Sequence, residues 1–225
     1  MPEPTSLLAI AFLLITLGTV GWFYAASKSM VVLVVLLGWT ALQSALTLTG
    51  LYQQTEMMPP WIFACGLVPT IIAMIILLTT RKGKAFVDGL NLQTLTWLHF
   101  IRVPVEIVLL LLFLEGVLPE AMTFEGTNWD VISGATAPIV AFMSFAGAKV
   151  VRARPLFWWN VACLLVLLNV VVTGVLSAPF PLQQFNFDQP ATSLLHFPFS
   201  LLPTIVVPVV IFSHLVALRQ LWGKS

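Results

Sequence analysis

Charge is what this chain has least of: 8% of its 225 residues are Asp, Glu, Lys or Arg. A soluble domain carries about 25%, because its surface must face water. The deficit rules out a fully water-facing surface. No polybasic run or basic stripe is present, so nucleic acid is excluded as a partner. Histidine is limited to three positions and cysteine to two. There is no Cys-x-x-Cys, His-x-x-x-His or His-Glu-x-x-His, so no motif has zinc-ligand spacing. A glycine-rich phosphate loop and a nucleophile elbow are also absent, which leaves no enzyme signature to build on.

What the chain has instead is apolar length: 59% hydrophobic residues and a mean hydropathy of +1.00. A helix needs about 20 apolar residues to cross the hydrocarbon core of a bilayer. Seven segments qualify, at about 6–26, 30–52, 60–80, 90–117, 129–150, 156–177 and 197–220. Their apolar runs are continuous, where barrel strands would alternate. The expected fold is all-α, a single domain over residues 1–225 forming a seven-transmembrane-helix bundle. The first segment reads as a retained helix and not as a cleaved signal. No lysine or arginine precedes it, and its run is longer than the h-region of a signal peptide.

The cations set the orientation. Lys28 lies in the first connection, Arg81, Lys82 and Lys84 in the third, Lys149, Arg152 and Arg154 in the fifth, and Arg219 and Lys224 at the C-terminal end. The second, fourth and sixth connections hold acids, namely Glu56, Glu120, Glu125 and Asp188. Nine of the ten cations thus fall on one side, which the positive-inside rule makes the cytoplasm. The N-terminus is expected outside and the C-terminus inside, in a cell membrane of bacterial inner-membrane type. Cys65 and Cys163 then lie toward opposite faces, as free thiols. Trp61, Trp129, Trp158 and Trp159 read as interfacial anchors.

Ionisable groups within a span are costly, so each calls for a reason. The fourth segment carries His99, Arg102 and Glu106, which at about 100° per residue form one stripe. Glu106 is placed to pair with Arg102 along the helix, and Pro104 to kink it. The stripe marks either a packing ion pair or a site for a proton, an ion or a small polar ligand. His214, in the inner half of the last segment, lies at a depth where it can face His99. Gln43 and Asn169 join the candidate site as polar residues on the second and sixth segments, and His196 reads as interfacial. Pro198, Pro203 and Pro208 are expected to bend the last helix. The long sixth connection, 178–195, is rich in proline, amide and phenylalanine, and reads as an interfacial loop or a lid. Glu115, Glu120, Glu125 and Asp130 form an acidic outer mouth.

The layout resembles that of rhodopsins and heptahelical receptors in helix count and orientation. It departs from retinal pigments in having no lysine within the last helix. More broadly the chain resembles small bacterial inner-membrane proteins of no assigned activity, a resemblance that implies no reaction. The leading functional reading is non-enzymatic: a transporter, channel component or sensor with a polar intramembrane site and no cofactor. A second reading makes His99 and His214 ligands of haem or a transition metal. A third makes the chain an accessory subunit of an oligomer or larger complex, its polar groups serving helix packing.

Overall fold

The structure, a computed structural model, describes residues 5–147 and 149–222. Lys224, assigned above to the cytoplasmic side, lies outside the described residues, as does position 148 of the expected fifth span. Among the described residues the eight helices are α1 (Ser6–Ser27), α2 (Met30–Leu48), α3 (Phe63–Thr79), α4 (Arg81–Asp88), α5 (Leu92–Leu114), α6 (Asp130–Ser144), α7 (Ala153–Ser177) and α8 (Leu202–Leu221). Five of them, α1, α2, α5, α7 and α8, are long and apolar enough to cross a membrane. The bent pair α3–α4 makes a sixth if counted as one span. This is an all-α, multi-pass membrane protein.

Three departures from the expected boundaries have physical causes. The third connection is not a loop: Thr80 caps α4 by accepting a hydrogen bond from the Gly83 amide at 3.1 Å, and the chain turns by 87° from α3 into this short basic helix. The fifth apolar segment stops at Ser144, and Phe145–Ala146 pairs antiparallel with Lys149–Val150, Phe145 opposite Val150. Gly147, at φ +60°, begins the turn between them. The helix α6 is therefore about 22 Å long at 1.5 Å per residue. The last helix begins at Leu202 and not near 197. Its first turns are π-helical between Pro203 and Pro208.

Burial separates the helices into centre and rim. The helix α8 is 67% buried in its apolar window and packs on α1, α3, α4, α5 and α7, whereas α2 is 11% buried. On α2 the two buried residues are Gln43 and Thr47, while Val31, Val34, Val35 and Leu48 point outward. That inversion is what lipid selects, since the apolar side faces hydrocarbon and polar groups find partners inside. One apolar core joins α1, α5 and α8, with Phe12 against Phe199 and Phe23 against Phe212.

Contacts between connections sort the bundle into two ends. At one end the Asn91 amide donates to the Ala26 carbonyl, Arg219 pairs with Asp88 at 2.8 Å, and Gln220 donates to the carbonyls of Val87 and Leu90. At the other, Thr5 donates to Glu115, Gln189 to the Leu118 carbonyl and Gln53 to the Leu195 carbonyl. The sixth connection folds over this second end, where Phe180 is buried edge-on to Phe63 while Phe185 and Phe187 stay exposed.

Candidate functional site

The site forms where α5, α6, α7 and α8 meet, and local sequence explains the convergence. Pro104 has no amide hydrogen for the Phe100 carbonyl, and the turn just before it, His99–Ile101, is a 3-10 turn. A 3-10 turn repeats every three residues, so His99 and Arg102 align. On α6, a β-carbon added at Gly134 would stand 3.0 Å from Arg102 Cβ and 3.0 Å from the Val103 amide nitrogen. Glycine thus lets α6 close onto α5 at Arg102. The connection Glu115–Trp129 reaches inward as well, burying Met122, Thr123 and Asn128 and starting α6 within the bundle.

Every member of the cluster is buried: His99, Arg102, Glu106, Asn128, Asp130, Asn160 and His214 are each 0–5% exposed. Arg102 Nη1 lies 3.1 Å from Asp130 Oδ1, and its Nη2 lies 2.8 Å from His214 Nε2. Guanidinium only donates, so His214 Nε2 is the acceptor. His214 Nδ1–H then donates to Asn160 Oδ1 at 2.8 Å, and Asn160 Nδ2 donates to the Leu156 carbonyl. His99 stacks on His214 with ring centroids 3.9 Å apart and planes 15° apart, and Trp159 meets His99 edge-on at 5.5 Å. At the other side Asn128 Nδ2 donates to Glu106 Oε1 at 2.7 Å and to the Met122 carbonyl. Asn128 Oδ1 in turn accepts from the Asp130 amide. One chain of contacts therefore runs from Glu106 through Asn128, Asp130, Arg102 and His214 to Asn160.

Several polar atoms in this chain have no hydrogen-bond partner: both ring nitrogens of His99, Nε and Nη1 of Arg102, Oε2 of Glu106 and Oδ1 of Asp130. The 3.1 Å contact between Arg102 and Asp130 is thus an ion pair whose angles do not make a hydrogen bond. Buried polar atoms are almost always satisfied. Besides the ion-paired Nη1 and Oδ1, the other four, both His99 nitrogens, Arg102 Nε and Glu106 Oε2, mark a place with unused donors and acceptors.

The structure brings together His99, Arg102, Glu106 and His214, and corrects the company they keep. Arg102 pairs with Asp130 and not with Glu106, whose bonded partner is Asn128. Asp130, expected at the outer mouth, is instead buried and turned inward onto Arg102 at the first residue of α6. Trp159, expected as an interfacial anchor, packs on His99 and donates to Thr136 at 3.1 Å. Two other candidates fall elsewhere. Gln43 accepts from the Tyr52 hydroxyl and donates to the Cys65 carbonyl, in a separate cluster with Thr47, Ser200 and Thr204. Asn169 is exposed and donates to the Thr127 carbonyl at 3.3 Å. Asn128, Asp130, Asn160 and Trp159 were not among the expected site residues. The signal available for Asn160 was an amide inside an apolar run, next to a tryptophan.

The haem reading does not fit this geometry. Two imidazoles hold one iron through in-plane nitrogen lone pairs aimed at it from opposite sides. Here the rings lie face to face, both His214 nitrogens are engaged, and a guanidinium stands beside them. The transition-metal version fails similarly, since among the described residues no three His, Cys, Asp or Glu side chains converge on a metal position.

Residues 59–222 match a family described as a domain of unknown function, DUF8737. The chain belongs to that family. The matched span contains all seven residues of the buried cluster, while α1 and α2 precede it. No curated protein and no solved structure shows significant similarity to the chain.

Proposed function

We propose that this DUF8737 member is a seven-span, single-domain inner-membrane protein that works as a transporter, channel component or sensor through its buried charged cluster. The observation that carries the reading is the set of orphaned, buried donors and acceptors on His99, Arg102 and Glu106, beside the Arg102–Asp130 ion pair. A cluster that served packing alone would lose nothing by being fully bonded or replaced with apolar groups. One with free valences of both kinds is suited to a proton, a small ion or a small polar ligand.

Seven passes follow if α6 crosses despite its length and α4 lies along the surface. Crossing by α6 keeps Lys149, Arg152 and Arg154 on the side of Arg81, Lys82 and Lys84, in line with the positive-inside rule. The grouping of Ala26, Asp88 and Arg219 at one end and Thr5, Glu115 and Leu195 at the other supports the same count. The N-terminus is then outside and the C-terminus cytoplasmic.

The test is a gradient response. The full chain is reconstituted into liposomes, and proton, sodium and potassium gradients are imposed in turn. Readouts are internal pH or ion dyes and the fluorescence of Trp159, isolated by difference against a Trp159→Phe variant. At least one gradient is expected to give a flux or a fluorescence change that Arg102→Gln and Glu106→Gln abolish. Folded variants indistinguishable from the wild type under every gradient would refute the proposal.

A further inference from the structure

The ligand class of this site follows from counting its charges, an inference that rests on the polar-site reading above. Glu106 and Asp130 are two carboxyl groups in a cluster with one guanidinium, Arg102, all buried. The imidazoles add no charge in the observed bonding. His214 Nε2 accepts from Arg102 and so carries no proton, and His99, stacked on it at 3.9 Å, has no acceptor at either ring nitrogen for the two N–H groups of an imidazolium. With both carboxyls ionised the cluster holds one surplus negative charge. Burying a net charge in a low-dielectric interior is far more costly than burying a neutral set.

We propose that the cluster is a binding site for a single exchangeable proton, carried by Glu106, with Asp130 the lasting partner of Arg102. The bonding distinguishes the two carboxyls. Asp130 stands 3.1 Å from the guanidinium, whereas Glu106 makes no ion pair and accepts only from the neutral Asn128 amide, through Oε1. Its other oxygen, Oε2, is unpartnered and buried, which is where the hydroxyl of a carboxylic acid belongs. Breaking that O–H bond releases the proton to water and leaves a carboxylate one helical turn from Arg102. Arg102 has one nitrogen, Nε, with neither a hydrogen bond nor an ion pair, with which to answer it. A guanidinium drawn toward Glu106 loosens its hold on Asp130 of α6 or His214 of α8. Proton loss is thereby coupled to the packing of α5 against its neighbours. The titratable groups beside Glu106 are Arg102 on α5 and Asp130 on α6, and those beside Arg102 in turn are His99 on α5, Cys163 on α7 and His214 on α8.

Infrared difference spectroscopy of the full chain in lipid nanodiscs, titrated in light and heavy water, tests this directly. The wild type should show the C=O stretch of one buried carboxylic acid, shifted by deuteration and lost at alkaline pH. E106Q should lack it. D130N should lack it too at neutral pH, although Glu106 remains, because one carboxylate then balances one guanidinium. A band that persists in D130N means that burial alone protonates Glu106, and overturns the charge count. N128D runs the count the other way if D130N does not fold: a third carboxyl must bring a second protonated band, and a single band overturns the proposal. A wild type with no such band at any pH, but with a gradient response intact, removes the proton site and leaves the polar-site reading standing. The predicted bands without any gradient response would do the reverse.

Discussion

Two polar clusters lie inside this bundle, and they are built on opposite principles. The one between α2, α3 and α8 is uncharged and bonded throughout. Tyr52 donates to Gln43, Gln43 to the Cys65 carbonyl, and Thr47 shares a hydrogen bond of 2.8 Å with Ser200. Trp39 donates at 3.3 Å to the Thr204 carbonyl, the group that Pro208 leaves without an amide partner. The cluster between α5, α6, α7 and α8 is charged and carries four atoms with neither a hydrogen bond nor an ion pair. A bonded, neutral network fixes how helices meet and has no capacity left over. A charged network with spare donors and acceptors is the kind that responds to something.

The largest way to break this contrast is Arg102→Leu. It leaves Asp130 buried without its counter-charge and His214 Nε2 without its donor. Breaking one partner of a buried pair costs about 3–5 kcal/mol. Thermal unfolding in detergent should show a loss of that order, and a variant as stable as the wild type would contradict the observed pairing. Gly134→Val comes next, because its side chain must displace Arg102 Cβ or the Val103 backbone at 3.0 Å. Overpacking of this kind costs about 1–3 kcal/mol. It should also abolish the gradient response, since it moves Arg102 without removing a charge. An unchanged response with lowered stability would show that the position of Arg102 does not matter.

On the neutral side, Tyr52→Phe removes one donor to Gln43. It should cost about 1 kcal/mol, the net worth of an ordinary hydrogen bond, and leave the gradient response untouched. A lost response would mean that the two clusters act as one, and the comparison would collapse.

Much of this was legible in the sequence, for reasons that also explain what was not. Hydrophobic length reveals spans because the bilayer has one thickness, so α1, α2, α5, α7 and α8 lie close to where the apolar runs place them. Helical periodicity exposed the His99–Arg102–Glu106 stripe because all three sit on one helix. Partners on other elements have no such signal. Asp130 follows Trp129 at the edge of an apolar run, and looks like a loop acid until the inward fold of residues 115–129 is known. Asn160 and Trp159 likewise depend on the rotation of α7. Gln43 shows the converse error: a buried amide on a rim helix looks like a site, yet its bonds are all local to α2 and its neighbours.

Asn169 sharpens that last point at the small end of the scale. It stands on α7, two turns beyond Asn160, and the amide chemistry of the two is identical. Asn160 is buried, fixes the tautomer of His214 through a 2.8 Å bond, and has its own amide held by the Leu156 carbonyl. Asn169 is exposed and reaches one carbonyl at 3.3 Å. Replacing Asn169 with alanine should change stability by less than about 0.5 kcal/mol and leave the gradient response intact. Asn160→Ala should disturb both, because His214 Nδ1–H loses its only acceptor in a buried place. Equal effects from the two would mean that position along α7, and not membership of the cluster, decides what an amide does here.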